Sequence, residues 1–524
     1  MTQQAVVPVV RLRAQEKQEE WHPRAKEIVI GKDILELLSS SMYIDPMTIY
    51  REYVQNAADS IDEARKSSIL GPRAAGRVDI DLNATARSIQ IRDNGGGIKW
   101  SDFETRLTAF GASTKRGTTA RGFRGVGRLA GLGYCQELIF RSRAAGEARI
   151  SELKWDCRNL KTALRAVEFS GDLAKLVGEV VSVRRVTSAG YPQHFFEVEL
   201  RGLVRHRNDR LLNTTAVTEY LSQVAPVPFA PDFPFANEIS AALAPHVALG
   251  NVEIRVGDMA EPVYRPHRRR LEIGEGTYDE FSGVEIKTLP SGDGGVAAVA
   301  WILHHGYTGA IPSKALVKGL RLRSGNIQVG DSSLLEELFP EPRFNAWSVG
   351  EVHVIDRHII PNGRRDYFEQ STHLDHLLNH LTPMARDVAR RCRASSIQRK
   401  RLRDFELGEA SVCEKLSIVH QGTLGVRQRT RFLRDISTSL AAMEKIANFE
   451  MFESGASKRL KQTIRRLRSR VDRLARRAPT AAPLSRLSPS QRTMYEHFFG
   501  LIYECSANRT AAKALVDRIL IKIA

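Results

Sequence analysis

Three short segments, met in a fixed order between residues 45 and 133, constrain this chain more than its length or composition does. The first, Asp45-Pro46-Met47-Thr48-Ile49-Tyr50-Arg51-Glu52-Tyr53-Val54-Gln55-Asn56-Ala57-Ala58-Asp59-Ser60, reads as a helix capped by Asp45, with Pro46 at its first position. Glu52, Asn56 and Asp59 then fall at i, i+4 and i+7 and form one polar stripe. Ile49, Tyr53, Val54, Ala57 and Ile61 supply the apolar faces. A glutamate can orient a water and an amide oxygen can ligate a hard cation, so the stripe suits a base beside a magnesium-bound phosphate. A solvated helix face presents the same residues.

The second segment, Ile91-Arg92-Asp93-Asn94-Gly95-Gly96-Gly97-Ile98, follows a strand pattern. Its glycines allow a ligand to approach the backbone closely, and Asp93 can accept hydrogen bonds at a pocket floor; a tight turn is the plainer alternative. The third, Arg121-Gly122-Phe123-Arg124-Gly125-Val126-Gly127-Arg128-Leu129-Ala130-Gly131-Leu132-Gly133, sets glycines ahead of a helical pattern. Backbone N–H groups and a helix start of this kind receive phosphates. The segment lacks the Lys-Ser/Thr ending of a P-loop, and no strand–Gly-x-Gly-x-x-Gly order of a dinucleotide fold is present. Each segment alone is a weak signal. Their succession is hard to obtain by chance.

Taken together, the three segments resemble the N, G1 and G2 boxes of the GHKL ATPase superfamily, which includes gyrase B, heat-shock protein 90, the histidine kinases and MutL. The stretch LLSSSMYIDPMTIYREYVQNAADSIDEAR and the later GFRGVGRLAGLGY are most similar to heat-shock-protein-90-like ATPases. The resemblance covers about residues 28–190 and implies a Bergerat α/β sandwich that binds ATP with Mg²⁺. By it, Glu52 is the general base, Asn56 the Mg²⁺ ligand, and Asp59 a further residue of the site. Asp93 reads the adenine amino group beside Gly95 and Gly97. Gly122, Phe123, Arg124, Gly125, Val126 and Gly127 cradle the phosphates, and Ser113, Thr114 and Lys115 belong to a mobile lid. The family's Gly-Thr before the last pocket strand is replaced here by Gly178-Glu179-Val180, with Ser182 close by in sequence. The resemblance also implies a cation from a second domain at the γ-phosphate. Ile360-Pro361-Asn362-Gly363-Arg364-Arg365-Asp366 is similar to the middle-domain stretch that supplies it, which makes Arg365 the first candidate and Arg364 the next. Lys314 and Lys318 replace them if the arrangement follows gyrase and MutL.

The rest of the 524 residues follows from pattern. Residues 1–27 read as a polar leader or arm, 28–190 as the ATP-binding domain, and 191–370 as an α/β middle, or transducer-like, domain. Strand candidates in the latter include VEIRVG, VAAVAWILHH, LRLRSGNIQVG and EVHVIDRHII. Residues 371–477 read as long helices, basic at the end, 478–490 as a linker and 491–524 as a small helical segment. Two apolar seams, Leu433-Ile436-Leu440-Met443-Ala447 and Leu460-Ile464-Leu467-Val471-Leu474, suit a helical hairpin or a coiled coil. Ser488 and Pro489 read as the cap and first residue of the next helix. The fold class expected is thus a multidomain α/β protein with a helical C-terminal region.

Function classes narrow further. No stretch of about 18 apolar residues exists, so no membrane partner is expected. The N-terminus lacks a secretion pattern, and five scattered cysteines form neither a disulfide framework nor a zinc motif, so a reducing cytoplasm is expected. His304-His305 reads as a strand-end pair. Of the net charge of +18, half comes from 458–477, with ten basic residues against Asp472. Such a helix can bind nucleic-acid phosphates, or dock onto an acidic partner or another subunit. A homodimer follows from the resemblance. Three readings of the ATP cycle stand: a chaperone or remodelling ATPase acting on a protein client, a DNA-associated clamp ATPase of the MutL or MORC kind in repair or genome defence, and a nucleotide-regulated scaffold with negligible turnover, against which the intact Glu52 argues.

Overall fold

In the computed structural model, which describes residues 45–109, 127–166, 173–205, 207–247, 249–274, 276–476 and 483–523, the chain divides into two units. The first comprises described residues up to Val217 together with Val252–Pro262; the second holds the remainder. Helix α1 (Thr48–Lys66) buries Ile49, Tyr53, Val54, Ala57, Ile61 and Ala64, and its last turn carries Arg65 and Lys66 at the favourable end of the helix dipole. The regular helix starts two residues later than the Asp45 cap predicts. Thr48, Ile49 and Tyr50 donate to the carbonyls three residues back, and Asp45 Oδ1 accepts the Met47 amide at 3.0 Å, so the entry is a tight 3₁₀-like turn.

After α1 come β1 (Arg77–Asn83), β2 (Ser88–Asp93), α2 (Trp100–Thr108), β3 (Glu137–Arg143), β4 (Ile150–Asp156), α3 (Cys157–Arg165), α4 (Leu173–Val180), β5 (Val181–Val186) and β6 (Phe195–Arg201). With β7 (Glu253–Val256) they make a seven-stranded sheet in the order β5-β4-β3-β6-β2-β1-β7, antiparallel except where β7 runs parallel to β1. Two expectations change here. VEIRVG is β7 of this first sheet rather than a strand of the second unit, and a boundary at 190/191 cuts off β6, which lies between β2 and β3.

Strand alternation separates the two sheet faces. Ile89, Ile91, Leu138, Phe140, Leu153 and Val198 make the apolar face, the side on which α1 packs. The opposite face is a charged ladder: Arg141 bridges Glu152 (2.7 Å), Glu197 (2.7 Å) and Glu199 (2.6 Å), flanked by Arg92–Glu197 and Arg184–Glu152. Cys135 and Cys157 are far apart in sequence, yet their sulfurs lie 3.8 Å apart, buried and unbonded.

Helix α5 (Thr214–Val224) crosses the division between the units. The second unit continues with α6 (Ala236–Leu243), the ribbon β8 (Arg270–Gly274) and β9 (Thr277–Glu280), and then β10 (Gly283–Pro290), β11 (Val296–His304), β12 (Gly319–Ser324), β13 (Ile327–Val329) and β14 (Val349–Val354). The last five form a sheet ordered β10-β11-β14-β12-β13, with β12 and β14 parallel. One face packs on Leu374, Leu377, Leu381, Met384 and Val388 of α7 (Thr372–Gln421), the other on Phe233, Ile239 and Leu243. Glu351 is buried between Arg265 and Arg323, which hold its carboxyl far below the usual range despite complete burial.

The second half of α7 joins α8 (Val426–Ala447), α9 (Ser454–Arg476), α10 (Pro489–Cys505) and α11 (Arg509–Ile523) in a helical core. Both predicted seams are used there, within one chain: Ile436, Leu440, Met443, Ala447, Ile464 and Leu467 are buried together with Val412, Leu416, Phe499 and Tyr503. Gly422, left-handed at φ 74°, ends α7. Ser488 forms a reciprocal capping box with Gln491, with Pro489 leading α10, as the sequence predicts. No described helix is long and apolar enough to cross a membrane.

Candidate active site

Helix α1 turns its polar stripe toward Gly127, the first described residue of the third motif. Glu52 is buried, and a Cβ at Gly127 would come closer than 3.0 Å to its carboxylate, so a side chain there would displace the Glu52 carboxylate. The Arg51 guanidinium lies 3.4 Å from the other Glu52 oxygen. Asn56, one turn on, is half-buried, and Asp59 is buried. Tyr53 ties the same helix to the loop after Gly127: its hydroxyl donates to the Arg128 carbonyl (3.2 Å) and accepts the Gly131 amide (2.9 Å).

The second motif closes the other end. Asp93 ends β2 on the apolar face and is almost completely buried. Its Oδ1 accepts the Gly95 amide (2.8 Å) and the Ser60 hydroxyl (3.3 Å). Burial pushes the carboxyl up to about 7, against the downward pull of those two hydrogen bonds. Among the described residues Oδ2 takes no hydrogen bond, which leaves one acceptor of a buried carboxylate for a ligand. Gly95 and Gly97 both sit where a side chain cannot: a Cβ at 95 would strike Ser60, and one at 97 would strike the Arg143 carbonyl, with φ already at +70°. The residues present therefore fit an adenine nucleotide. A buried acceptor and glycine-lined backbone stand at one end of the α1 stripe, and a carboxylate, with an amide one turn on, stands at the other.

Of the predicted site residues, Glu52, Asn56, Asp59, Asp93, Gly95, Gly97 and Gly127 come together around α1 and the end of β2. Ser113, Thr114, Lys115, Gly122, Phe123, Arg124, Gly125 and Val126 lie outside the described residues, as does the leader 1–27. Ser182 is on the wrong side of the sheet to replace the missing threonine. It pairs with Lys154 on β4, and its side chain is exposed on the charged face opposite Asp93. Arg365 belongs to the second unit. It is buried and left-handed at φ 57°, its amide donating to the Asn362 carbonyl (3.1 Å) and its carbonyl accepting from Gly330 (2.8 Å). Arg364 beside it is exposed, Lys314 pairs with Glu272 (2.8 Å), and Lys318 reaches Ser313 (3.4 Å). His304 and His305 each take their own acid, Glu285 and Asp279, and so form no shared ligand set.

Several positioning groups carry no separate sequence signal. Ser60 is one, although its place four residues after Asn56 on the same stripe is visible in retrospect. His194 meets the Gly95 carbonyl at 2.8 Å, and Ser142 accepts the Ile98 amide at 2.7 Å. Both come from strands or loops distant in sequence, so only the sheet order brings them to the glycine box.

Residues 48–170 match the family described as histidine kinase-, DNA gyrase B- and HSP90-like ATPases. Two curated relatives are both chaperone proteins HtpG. That of Frankia casuarinae is 33% identical over 73 residues, 13% of this chain and 11% of the relative. That of Aromatoleum aromaticum is 22% identical over 198 residues, 34% of this chain and 30% of the relative. The matched regions thus span less than a third of either chaperone. With the seven-stranded sheet, the α1 stripe and the Asp93 floor in place, the N-terminal part of this chain belongs to the GHKL ATPase superfamily and is similar to its heat-shock-protein-90-like members.

Proposed function

We propose that the protein is an ATP-hydrolysing conformational machine that remodels protein clients in the manner of heat-shock-protein-90-like ATPases. The observation that carries this reading is the single helix face that runs from Glu52, packed against Gly127, to Ser60, hydrogen-bonded to the buried Asp93. Asp93 Oδ2 and the backbone near Gly97 would hold the adenine, and Asn56 would hold Mg²⁺ on the phosphates. Bound Mg²⁺ supplies charge neutralisation on the phosphoryl oxygens. Glu52, shielded from solvent, orients the attacking water and takes its proton. Arg365 is the proposed cation for the γ-phosphate. A homodimer and a cytoplasmic location complete the proposal by analogy with the family.

One observation favours a second reading, a DNA-associated clamp. Helix α9 exposes Lys458, Arg459, Lys461, Arg465, Arg466, Arg468, Arg470, Arg473 and Arg476 beside its buried seam. Within the chain, Arg466 pairs with Glu409 (3.1 Å) and Arg468 with Glu444 (2.5 Å), which offsets part of that charge and supports the protein-directed reading. ATP turnover measured with duplex DNA at low salt, and with an unfolded protein client, separates the two. Client stimulation that survives neutralisation of Arg465 and Arg470 supports the chaperone reading. DNA stimulation lost on that neutralisation, and steeply weakened by salt, would replace it with the clamp.

A further inference from the structure

Away from the nucleotide site, three connections of the second unit bring histidines and aspartates together. Asp293 sits in the turn between β10 and β11, closed by the Ser291 amide donating to the Gly295 carbonyl (2.8 Å). Asp356 and His358 follow the end of β14, and His373 is the second residue of α7. One donor atom from each of Asp293, His358 and His373 lies within 4.8 Å of the others. Asp293 Oδ2 is 3.8 Å from His373 Nε2 and 3.9 Å from His358 Nδ1, and the two imidazole rings lie 4.5 Å apart.

Asp356 organises this cluster from behind. Its side chain is only 6% exposed, and one oxygen accepts the Ser291 hydroxyl (2.7 Å) and His373 Nδ1 (2.8 Å). The other accepts the His358 amide (2.9 Å) and faces His358 Nδ1 (3.0 Å). The bond to His373 Nδ1 fixes that tautomer and turns Nε2, with its lone pair, toward Asp293. Carboxylate–histidine pairs of this form orient imidazoles for metals. His358 and Asp293 are two-thirds exposed and can adjust without repacking a core. Bonds of about 2.0–2.1 Å to a tetrahedral ion set ligand atoms roughly 3.3 Å apart, so the two Asp293 separations need to contract by about half an ångström.

We propose that Asp293, His358 and His373 bind a divalent transition-metal ion, zinc by chemistry, with Asp356 positioning His373, His358 Nδ1 exchanging its contact with Asp356 for the ion, and solvent in the fourth place. Two imidazoles and a carboxylate match the borderline ions Zn²⁺, Co²⁺ and Ni²⁺, whereas Mg²⁺ and Ca²⁺ take oxygen-only sets. The two aspartates offset the unfavourable N-terminal dipole of α7. The ion clamps the β10–β11 turn and the β14 exit to the first turn of the helix whose Leu374, Leu377 and Leu381 cover the sheet. This site is separate from the Mg²⁺–ATP site and does not depend on its assignment.

The test is equilibrium dialysis of the full chain against Zn²⁺ with metal quantification, and titration with Co²⁺ followed by visible absorption. One equivalent of Zn²⁺ is expected, with a tetrahedral Co²⁺ spectrum lacking a thiolate charge-transfer band. His358→Ala and Asp293→Ala, both exposed and safe for folding, each lose that equivalent. Asp356→Asn weakens it by about 10–100-fold through His373. Absence of a stoichiometric ion, or Zn²⁺ binding that survives His358→Ala and Asp293→Ala unchanged because it resides on other histidines or cysteines, overturns the proposal.

Discussion

Replacing Asp93 with asparagine sets the cost of a buried carboxylate against its use. The Asp93 carboxyl titrates at about 7 in the folded chain, against 3.8 for an ordinary aspartate. At about 1.4 kcal/mol per pH unit of that difference, ionised Asp93 costs the nucleotide-free protein about 4 kcal/mol at most. Between those two pH values the folded state holds a proton that the unfolded state has released. Stability therefore falls as pH rises through the window and levels off above 7. Asparagine keeps the Oδ1 acceptor for Gly95 and Ser60 without the charge. Hydrogen exchange of α1 and β2 amides, compared between the two proteins at each pH in the full chain, reads this locally. Protection in Asp93→Asn should exceed wild type by about tenfold at pH 5 and by up to about a thousandfold at pH 8. The same variant should bind ATP at least about a hundredfold more weakly, because an amide N–H₂ or a weaker neutral acceptor replaces Oδ2. A protection ratio that does not change with pH, or ATP affinity within about twofold of wild type, would refute the reasoning.

Other outcomes follow from the same geometry. ATP affinity of the wild-type protein should weaken below pH 7, by up to about tenfold per pH unit, as Asp93 must give up its proton to accept from adenine; titration calorimetry across pH 5.5–8 checks this. Gly127→Ala should push the Glu52 carboxylate aside and lower kcat about a hundredfold with little change in nucleotide affinity, read by steady-state kinetics beside direct binding. Arg365→Ala should lower kcat about a thousandfold with ATP affinity nearly unchanged, and an unaltered kcat would return the role to Arg364, Lys314 or Lys318. Leu440→Ala should destabilise the helical core by about 2–5 kcal/mol in denaturant unfolding, since the side chain is buried in a seam used within the chain.

What the sequence made legible is what short stretches encode. The α1 stripe, the strand that ends at Asp93 and the glycines that follow it are each contiguous, so spacing alone exposes the groups that meet at the site. The helical seams are equally local: period fixes which side chains are buried, though not that the partner is the second half of α7 in the same chain. The groups that went unread are joined by sheet order. His194 and Ser142 reach the glycine box through β6 and β3, and β7 enters the first sheet beside β1 after some fifty residues outside the sheet, so neither composition nor periodicity places them. The metal-site candidates are of the same kind. His304 and His305, adjacent in sequence, separate onto two acids, while His358 and His373, fifteen positions apart, share Asp356.

The central claim is that Glu52 is the base of an ATP-hydrolysing site. The most direct measurement is ATP turnover by wild type and Glu52→Ala at saturating ATP and Mg²⁺, with nucleotide binding measured on the same samples. The account predicts binding within a few-fold of wild type and turnover lowered by about 10²–10⁴ in the variant. Equal turnover in the two proteins, with ATP bound to both, would contradict it.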